Sequence, residues 1–146
     1  MADGPPARLT ANALRYQGDF GEISALLKYD DGRSATVLAS GLMPASYPFK
    51  VGFRVLFEAA LVESEVSFGE GAPPRIRLTV FPQVGEVQVP DFPQSNPYQV
   101  ELEQFFGCIR GTGDPALLDV ERALEALALS KATQASLSKH RGIDIA

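Results

Sequence analysis

Few side chains in this sequence have the types and spacing that acid–base or metal chemistry needs. Glu63 and Glu65 stand two residues apart in a segment with the alternation of a β-strand, so their carboxylates share one face. Asp30 and Asp31 are adjacent in a turn. Paired carboxylates can exchange protons or bind metal ions, but neither pair has a neighbouring histidine or third acidic residue in sequence. We interpret both pairs as solvated charges.

The single histidine and the single cysteine also have simple structural interpretations. His140 follows Lys139 near the end of a predicted helix, where a cation is favoured by the helix dipole. Cys108 lies within an apolar helical pattern, which indicates a packed and unreactive thiol, and alone it forms neither an internal disulfide nor a zinc site. The sequence therefore predicts no catalytic residue and no metal ligand.

Cofactor, nucleic-acid and membrane functions are disfavoured by motif, charge and hydropathy. The chain contains neither the Gly-x-Gly-x-x-Gly nor the Gly-x-x-x-x-Gly-Lys sequence, so no cofactor-binding residue is predicted. Its 18 acidic and 13 basic residues give a net charge of −5, and no window concentrates lysine and arginine. No apolar run approaches the roughly 18 residues that cross a bilayer, and the first residues lack a signal-peptide pattern. We expect a soluble protein of the reducing cytoplasm.

The alternation of apolar residues predicts a mainly antiparallel sheet. Ile23, Ala25 and Leu27 alternate with Ser24, Leu26 and Lys28 before Asp-Asp-Gly. The alternation resumes after the turn, which predicts a hairpin with Gly32 in a left-handed conformation. Pairing Tyr29 with Arg33 brings both apolar sets to one face. Further strands are predicted around Arg8–Leu14, Val51–Phe57 with a continuation through Ala60–Val62, Ile76–Val80 and Val87–Val89.

After residue 95 the apolar period changes from two to about 3.6, which indicates helices. The first runs from Tyr98 to Arg110, with Asn96 as its N-cap and Gly111 at its end. The second runs from Val120 to about Lys139, with Asp119 as its N-cap, and is ended by Gly142. The apolar stripes predicted to pack on the sheet contain Tyr98, Leu102, Phe105, Phe106 and Ile109 in the first helix, and Val120, Ala123, Leu124, Leu127 and Ala128 in the second. The predicted fold class is α+β, a mostly antiparallel open-faced sheet with helices on one face.

Two surfaces could bind partners or ligands. The sheet face opposite the helices carries Leu26, Leu38, Leu56 and Phe81 among polar residues, and an apolar patch with a polar rim is typical of an oligomer interface. The alternative is scattered surface residues, which are common. The segment from 42 to 49 is stiffened by proline and carries Met43, Tyr47 and Phe49, which could line the substrate side of a sugar pocket or pack against the end of the sheet.

Two segments, residues 19–33 and 96–110, resemble the C-terminal half of the Gfo/Idh/MocA family of NAD(P)-dependent sugar and polyol oxidoreductases. The similarity extends over about residues 18–145 and includes the Asp-Phe-Gly-Glu start of the hairpin, the crossover from Ser40 to Phe49, the strand through residues 57–61 and both helices. It implies a fold like the C-terminal domain of dihydrodipicolinate reductase, or ferredoxin-like, whose open sheet face makes dimer or tetramer contacts. Residues 1–18 are expected to be a leader or edge segment and residues 19–146 the domain.

The chain departs from the family where the chemistry lies. The family's dinucleotide binds an N-terminal Rossmann domain that carries a Glu-Lys-Pro motif, and an Asp/His pair lies on the helix that opens the C-terminal domain. Neither motif occurs here, and Ala59-Ala60 stands where relatives commonly have glycine. The resemblance thus implies a substrate-binding and oligomerisation domain that is inactive alone, with NAD(P) and a sugar-like substrate belonging to a full-length parent. The alternative is a free-standing protein–protein interaction module that uses the open sheet face.

Overall fold

A computed structural model describes residues 4–69, 73–91 and 95–145. The fold is α+β, with strands that pair antiparallel in two sheets. The described elements are, in chain order, β1 (Arg8–Tyr16), β2 (Asp19–Lys28), β3 (Ser34–Ser40), β4 (Phe49–Leu56), β5 (Ala60–Phe68), β6 (Arg75–Pro82), α1 (Pro97–Ile109), a 3₁₀ turn (Pro115–Leu118), α2 (Val120–Lys139) and β7 (Ile143–Asp144).

The chain divides into two units, each with its own sheet. The first contains Met1–Met43 and Ala116–Ala146, with strand order β3-β2-β1-β7, and the second contains Pro44–Pro115, with order β4-β5-β6. The sequence pattern predicted one sheet. Residues 1–18 were predicted to be a leader or edge segment, whereas β1 takes an interior position between β2 and β7 in the sheet of the first unit.

The predicted β2–β3 hairpin is confirmed residue by residue. Leu27 pairs with Ala35, Ala25 with Val37 and Ile23 with Ala39. The Tyr29 N–H donates to the Arg33 carbonyl at 3.0 Å, and Gly32 has a φ of 87°. Glycine has no Cβ and adopts this left-handed conformation without the strain another residue would bear, so the Asp-Asp-Gly turn fixes the register of both strands.

A small apolar core forms in the first unit where α2 crosses β1. Its fully buried members come from β1, β2 and the end of α2: Leu9, Ala11, Ala25, Leu27 and Leu137. Ala13, Ile23, Leu129 and Ala132 pack around them. The helix thus contacts the sheet mainly at β1, through its C-terminal half.

The predicted packing face of α2 is wrong. Val120, Leu124 and Leu127 are all more than half exposed, and the helix packs through Leu129, Ala132 and Leu137 instead. Alanine, serine and threonine occupy much of the C-terminal half, and their small side chains let the helix approach the strand closely. The helix spans Val120–Lys139 as predicted, but the residue that ends it is His140, in the left-handed conformation with φ of 51°, rather than Gly142.

The second unit is a three-stranded antiparallel meander. Phe53 on β4 pairs with Ser64 on β5, and Ser64 pairs in turn with Leu78 on β6. The short strand expected around Val87–Val89 is reduced to one bridge, in which Val80 and Gln88 exchange backbone hydrogen bonds of 2.8 and 2.9 Å. The loop between β5 and β6 falls partly on residues 70–72, outside the described residues.

Helix α1 begins as predicted, but its apolar stripe is not buried. The Asn96 side chain accepts a hydrogen bond of 3.0 Å from the Tyr98 N–H, Pro97 occupies the first turn, and Gly111 follows the helix with φ of 74°. The stripe predicted to pack on the sheet is exposed along its length, at Tyr98, Leu102, Phe105, Phe106 and Ile109. The helix therefore presents an apolar surface that the described part of the chain leaves largely uncovered.

Candidate interaction surface

The odd-numbered residues of β4 form the largest uncovered apolar strip on a strand of the second unit. Phe49, Val51, Phe53 and Val55 point to one face, and between 38% and 63% of each is exposed. Every residue of β4 is exposed to solvent, whereas the residues of β5 are mostly half-buried. A strand this apolar and this accessible is typical of a surface that another polypeptide covers.

The same face continues across β5 and β6. Val62, Val66 and Phe68 lie on this face of β5. On β6, Val80 pairs with Val62, Leu78 with Ser64 and Ile76 with Val66. At one end the rings of Phe49 and Phe68 lie 5.5 Å apart, and the Tyr98 ring of α1 lies 6.5 Å from Phe68. The contact between Phe68 and Tyr98 is the one ring contact between α1 and the sheet among the described residues.

The opposite face of this sheet is charged and internally paired. Lys50 donates to both carboxylate oxygens of Glu65 at 3.1 Å, and Arg54 donates to Glu63 at 2.5 Å. The Glu65 hydrogen bond raises the pKa of Lys50 above its ordinary value. Glu63 and Glu65 share a face as predicted, and they lie in ion pairs there rather than in an acid–base site.

A shallow groove of about 600 Å³ runs over this charged face. Gly52 lies between Lys50 and Arg54, and because it has no side chain it leaves the floor of the groove open. Arg77 pairs with Glu65 on the next strand. A Cβ on Gly52 would lie 2.5 Å from the Ser64 carbonyl oxygen, so the close approach of the two strands requires glycine here. The two faces of β4 thus differ sharply, one charged and one apolar.

The four residues predicted as an oligomer face are divided between the two sheets. Leu26 and Leu38 lie on the outer face of the first unit's sheet, on adjacent strands, and Leu38 is the more exposed. Leu56 and Phe81 lie at the end of the charged face in the second unit, on either side of Leu61, and Leu56 is 81% exposed. The sequence therefore identified exposed apolar residues, two of which lie on the sheet of each unit.

The apolar strip on β4 was not identified from the sequence. The alternation predicted a strand through Val51, Phe53 and Val55, but it placed their face on the side covered by helices. The signal that separates this strand from the others is its density of large residues: aromatic or β-branched side chains occupy every odd position from Phe49 to Val55. Such residues favour strands in general, so the pattern alone did not distinguish a covered face from an open one.

The residues predicted for a substrate-side loop are exposed. Met43 belongs to the first unit. Tyr47 and Phe49 belong to the second, where the Tyr47 N–H donates to the Pro44 carbonyl at 2.8 Å and closes a turn. The Lys50 ammonium lies 5.8 Å from the centre of the Tyr47 ring. Phe49 begins β4 and belongs to its apolar strip.

The remaining titratable residues singled out from the sequence have structural partners or positions. Asp31 accepts hydrogen bonds from the side chain and the backbone N–H of Arg33, at 2.5 and 3.0 Å, which lower the pKa of its carboxyl group. His140 caps the C-terminus of α2. The Cys108 thiol is half-buried and lies 3.6 Å from the Gln104 amide nitrogen.

A second uncovered apolar area lies in the first unit, beside α2. An open groove of about 400 Å³ separates the helix from β2 and β3, and Ile23, Val37, Leu129 and Thr133 line it. Val37 is half exposed because α2 lies over β1 and leaves the outer strand β3 bare.

No family model matches this chain, and no curated protein matches its sequence. Within residues 4–69, 73–91 and 95–145, no three His, Cys, Asp or Glu side chains are grouped so that they could hold a metal ion. The helices of the described residues are too short or too polar to cross a membrane.

Proposed function

We propose that this chain is an oligomerisation domain that self-associates through β4. The observation that supports this proposal is the exposure of Phe49, Val51, Phe53 and Val55 on one side of a regular strand. Removing apolar side chains from water is the main favourable term in protein association, and aromatic residues at the centre of an interface supply most of it. The paired charges on the other face keep that side of the sheet compatible with water.

Within this proposal, the chain serves as the substrate-side and oligomerisation domain of an NAD(P)-dependent sugar or polyol oxidoreductase, inactive alone. The resemblance to the Gfo/Idh/MocA family supports it. The two segments that carry the resemblance correspond to the β2–β3 hairpin and to α1. In such an enzyme the nucleotide and the hydride-transfer residues belong to the other half, and this domain holds the subunits together.

Self-association is tested by measuring the mass of the purified chain in solution with light scattering at several concentrations. We expect a mass of at least two chains of 15.7 kDa. Phe53→Lys places a charge in the centre of the strip and should shift the protein to monomers. Val84→Lys adds the same charge at a residue that is 90% exposed in the loop after β6, and should leave the mass unchanged. A monomeric parent chain at all concentrations would contradict the proposal.

The oxidoreductase proposal has its own test. The native polypeptide in an extract of its source, detected with an antibody against this chain, should be longer by roughly one further domain of about 100 to 150 residues. The isolated chain should not oxidise sugars or polyols with NAD or NADP. A native band at 15.7 kDa would favour the free-standing interaction module instead, and its partner would then be sought by co-purification.

A further inference from the structure

One edge of the second unit's sheet is open for pairing. β4 pairs with β5 on one side, and no other described strand pairs with it on the other. The Phe57 N–H donates to the Ala60 carbonyl of the partner segment at 2.8 Å. Because backbone groups alternate in direction along an antiparallel strand, the odd-numbered residues of β4 direct theirs toward β5. The even-numbered residues Lys50, Gly52, Arg54 and Leu56 therefore direct their N–H and C=O groups to the open edge.

The edge lacks most of the features that usually prevent strands from pairing. Proteins protect edge strands by shortness, proline, bulges, charged side chains on the strand, especially lysine, or charges that point inward. β4 has eight residues and no proline, and it keeps one register with β5 from Phe49–Phe68 to Leu56–Leu61. Its charges, Lys50 and Arg54, lie on the polar face and already pair with Glu65 and Glu63 of the same sheet. The apolar face carries no charge on this strand.

The alternation of β4 restricts how a second copy could pair with it. Residues directly opposite one another in an antiparallel pair lie on the same face, so odd-numbered residues must stand opposite odd-numbered ones. The N–H and C=O groups of the even-numbered residues point to the open edge, so even-numbered residues of the two copies must also stand opposite one another. Two registers place the symmetry axis near the middle of the strand: one is centred on Gly52 and the other on Phe53.

Charge distinguishes these two registers. The register centred on Gly52 places Lys50 opposite Arg54 of the second copy, and like charges directly opposite are destabilising. The register centred on Phe53 places Arg54 opposite Gly52 of the second copy and Lys50 opposite Leu56 of the second copy. On the apolar face it places Phe53 opposite Phe53 of the second copy and Val51 opposite Val55 of the second copy, which are favourable cross-strand pairs.

We propose that two copies of this chain pair antiparallel along β4 with the two-fold axis at Phe53, forming a continuous six-stranded sheet. The proposal rests on the proposed function and gives its interface a partner and a register. Each copy supplies the backbone partners that the edge of the other lacks, and the apolar strips of the two strands become neighbours.

Cysteine cross-linking tests this pairing register directly. The background is Cys108→Ser, which removes the natural thiol. At Phe53 the two opposed residues form a non-hydrogen-bonded pair with Cα atoms about 4.5 Å apart, close to the distance a disulfide spans. On mild oxidation, the Phe53→Cys variant should form a disulfide-linked homodimer. This reaction should be faster than formation of the disulfide-linked heterodimer in a mixture of the Val51→Cys and Phe53→Cys variants. Faster cross-linking of the mixture would indicate the Gly52 register and overturn the proposal.

A backbone variant tests the edge without thiol chemistry. The Arg54 N–H points away from β5, so Arg54→Pro removes a hydrogen-bond donor from the edge and leaves the pairing with β5. Arg54→Ala is the matched control, since it also removes the ion pair with Glu63. We expect Arg54→Pro to dimerise about tenfold or more weakly than Arg54→Ala, because the two-fold axis doubles the loss. Circular dichroism verifies that both variants fold.

The outcomes separate this proposal from the proposed function. A dimer by light scattering that shows no Phe53→Cys cross-link and equal association of the Arg54→Pro and Arg54→Ala variants would overturn pairing along β4, while self-association would stand. A monomer by light scattering would overturn both.

Discussion

The Ser136 hydroxyl of α2 accepts a hydrogen bond of 2.9 Å from the backbone N–H of Ala11 on β1, and it donates one of 2.7 Å to the Arg141 carbonyl. The bond to Ala11 compensates for the shortness of β7, which pairs only with Arg8 and Leu9 and does not reach Ala11. Ser136 is fully buried, so water is not an alternative partner. One side chain therefore bonds a backbone N–H of an interior strand that β7 does not reach, and it links the end of the helix to that strand.

Ser136→Ala should lower the free energy of unfolding by about 1 to 3 kcal/mol, since a buried N–H loses its acceptor and nothing replaces it. Chemical denaturation of both proteins measures the difference. Ser138→Ala is the control: the Ser138 hydroxyl donates to the Gln134 carbonyl on the exposed side of the same helix, and its loss should change stability by no more than about 0.5 kcal/mol. Equal effects of the two substitutions would show that the Ala11 bond does not stabilise the fold.

The packing face of α2 is tested by two leucines of the same helix. Leu137 is 8% exposed in the core, whereas Leu124 is 59% exposed. Leu137→Ala should cost about 2 to 5 kcal/mol through lost burial and the cavity it leaves. Leu124→Ala should cost no more than about 0.5 kcal/mol in denaturation of the monomer. The reverse order would restore the face that the sequence pattern predicted.

Local features of this fold could be predicted because short stretches of sequence determine them. The Asp-Asp-Gly turn sets the register from Ile23–Ala39 to Leu27–Ala35, and Asn96 and Asp119 mark the first residues of the helices through hydrogen bonds to N–H groups two residues ahead. These interactions span a few residues, and each has a characteristic residue type.

The division into two sheets and the orientation of the helices depend on contacts between distant residues, which the pattern does not encode. α2 carries apolar residues around much of its circumference, so Leu124 and Leu137 both fit an inward stripe, and only the position of β1 decides between them. The sequence of β4 fits an ordinary half-buried strand, because its pattern does not show what covers its apolar face. Whether Phe53 is covered depends on what lies opposite it, in this chain or in another.

The turn between β2 and β3 should stabilise the protein in a pH-dependent way. The Arg33 hydrogen bonds lower the pKa of Asp31 in the folded state. A carboxyl group with a lowered folded pKa contributes stability above its unfolded pKa and loses the contribution as the pH falls through the folded value. Asp31→Asn should therefore lower the melting temperature near neutral pH, and the difference from the parent should shrink below the ordinary aspartate range. Asp30→Asn makes the same charge change in the same turn and controls for net charge; an equal response there would contradict the assignment.

The Lys50–Glu65 pair should contribute stability that is lost as the pH rises, the opposite of the dependence expected for Asp31. Glu65 raises the pKa of Lys50 in the folded state, so the pair contributes stability below the ordinary lysine pKa and loses it as the pH rises through the raised value. Glu65→Gln should lower the melting temperature at pH 8, lower the pKa of the Lys50 ammonium in an NMR titration, and match the parent at pH values above the raised pKa. Both side chains are partly exposed, so salt should reduce the difference in melting temperature. Glu86→Gln, in the loop after β6, makes the same charge change away from Lys50. A Lys50 titration that is unchanged by Glu65→Gln would show that the ion pair does not persist in solution, and the charged face of β4 would then be free to bind another partner.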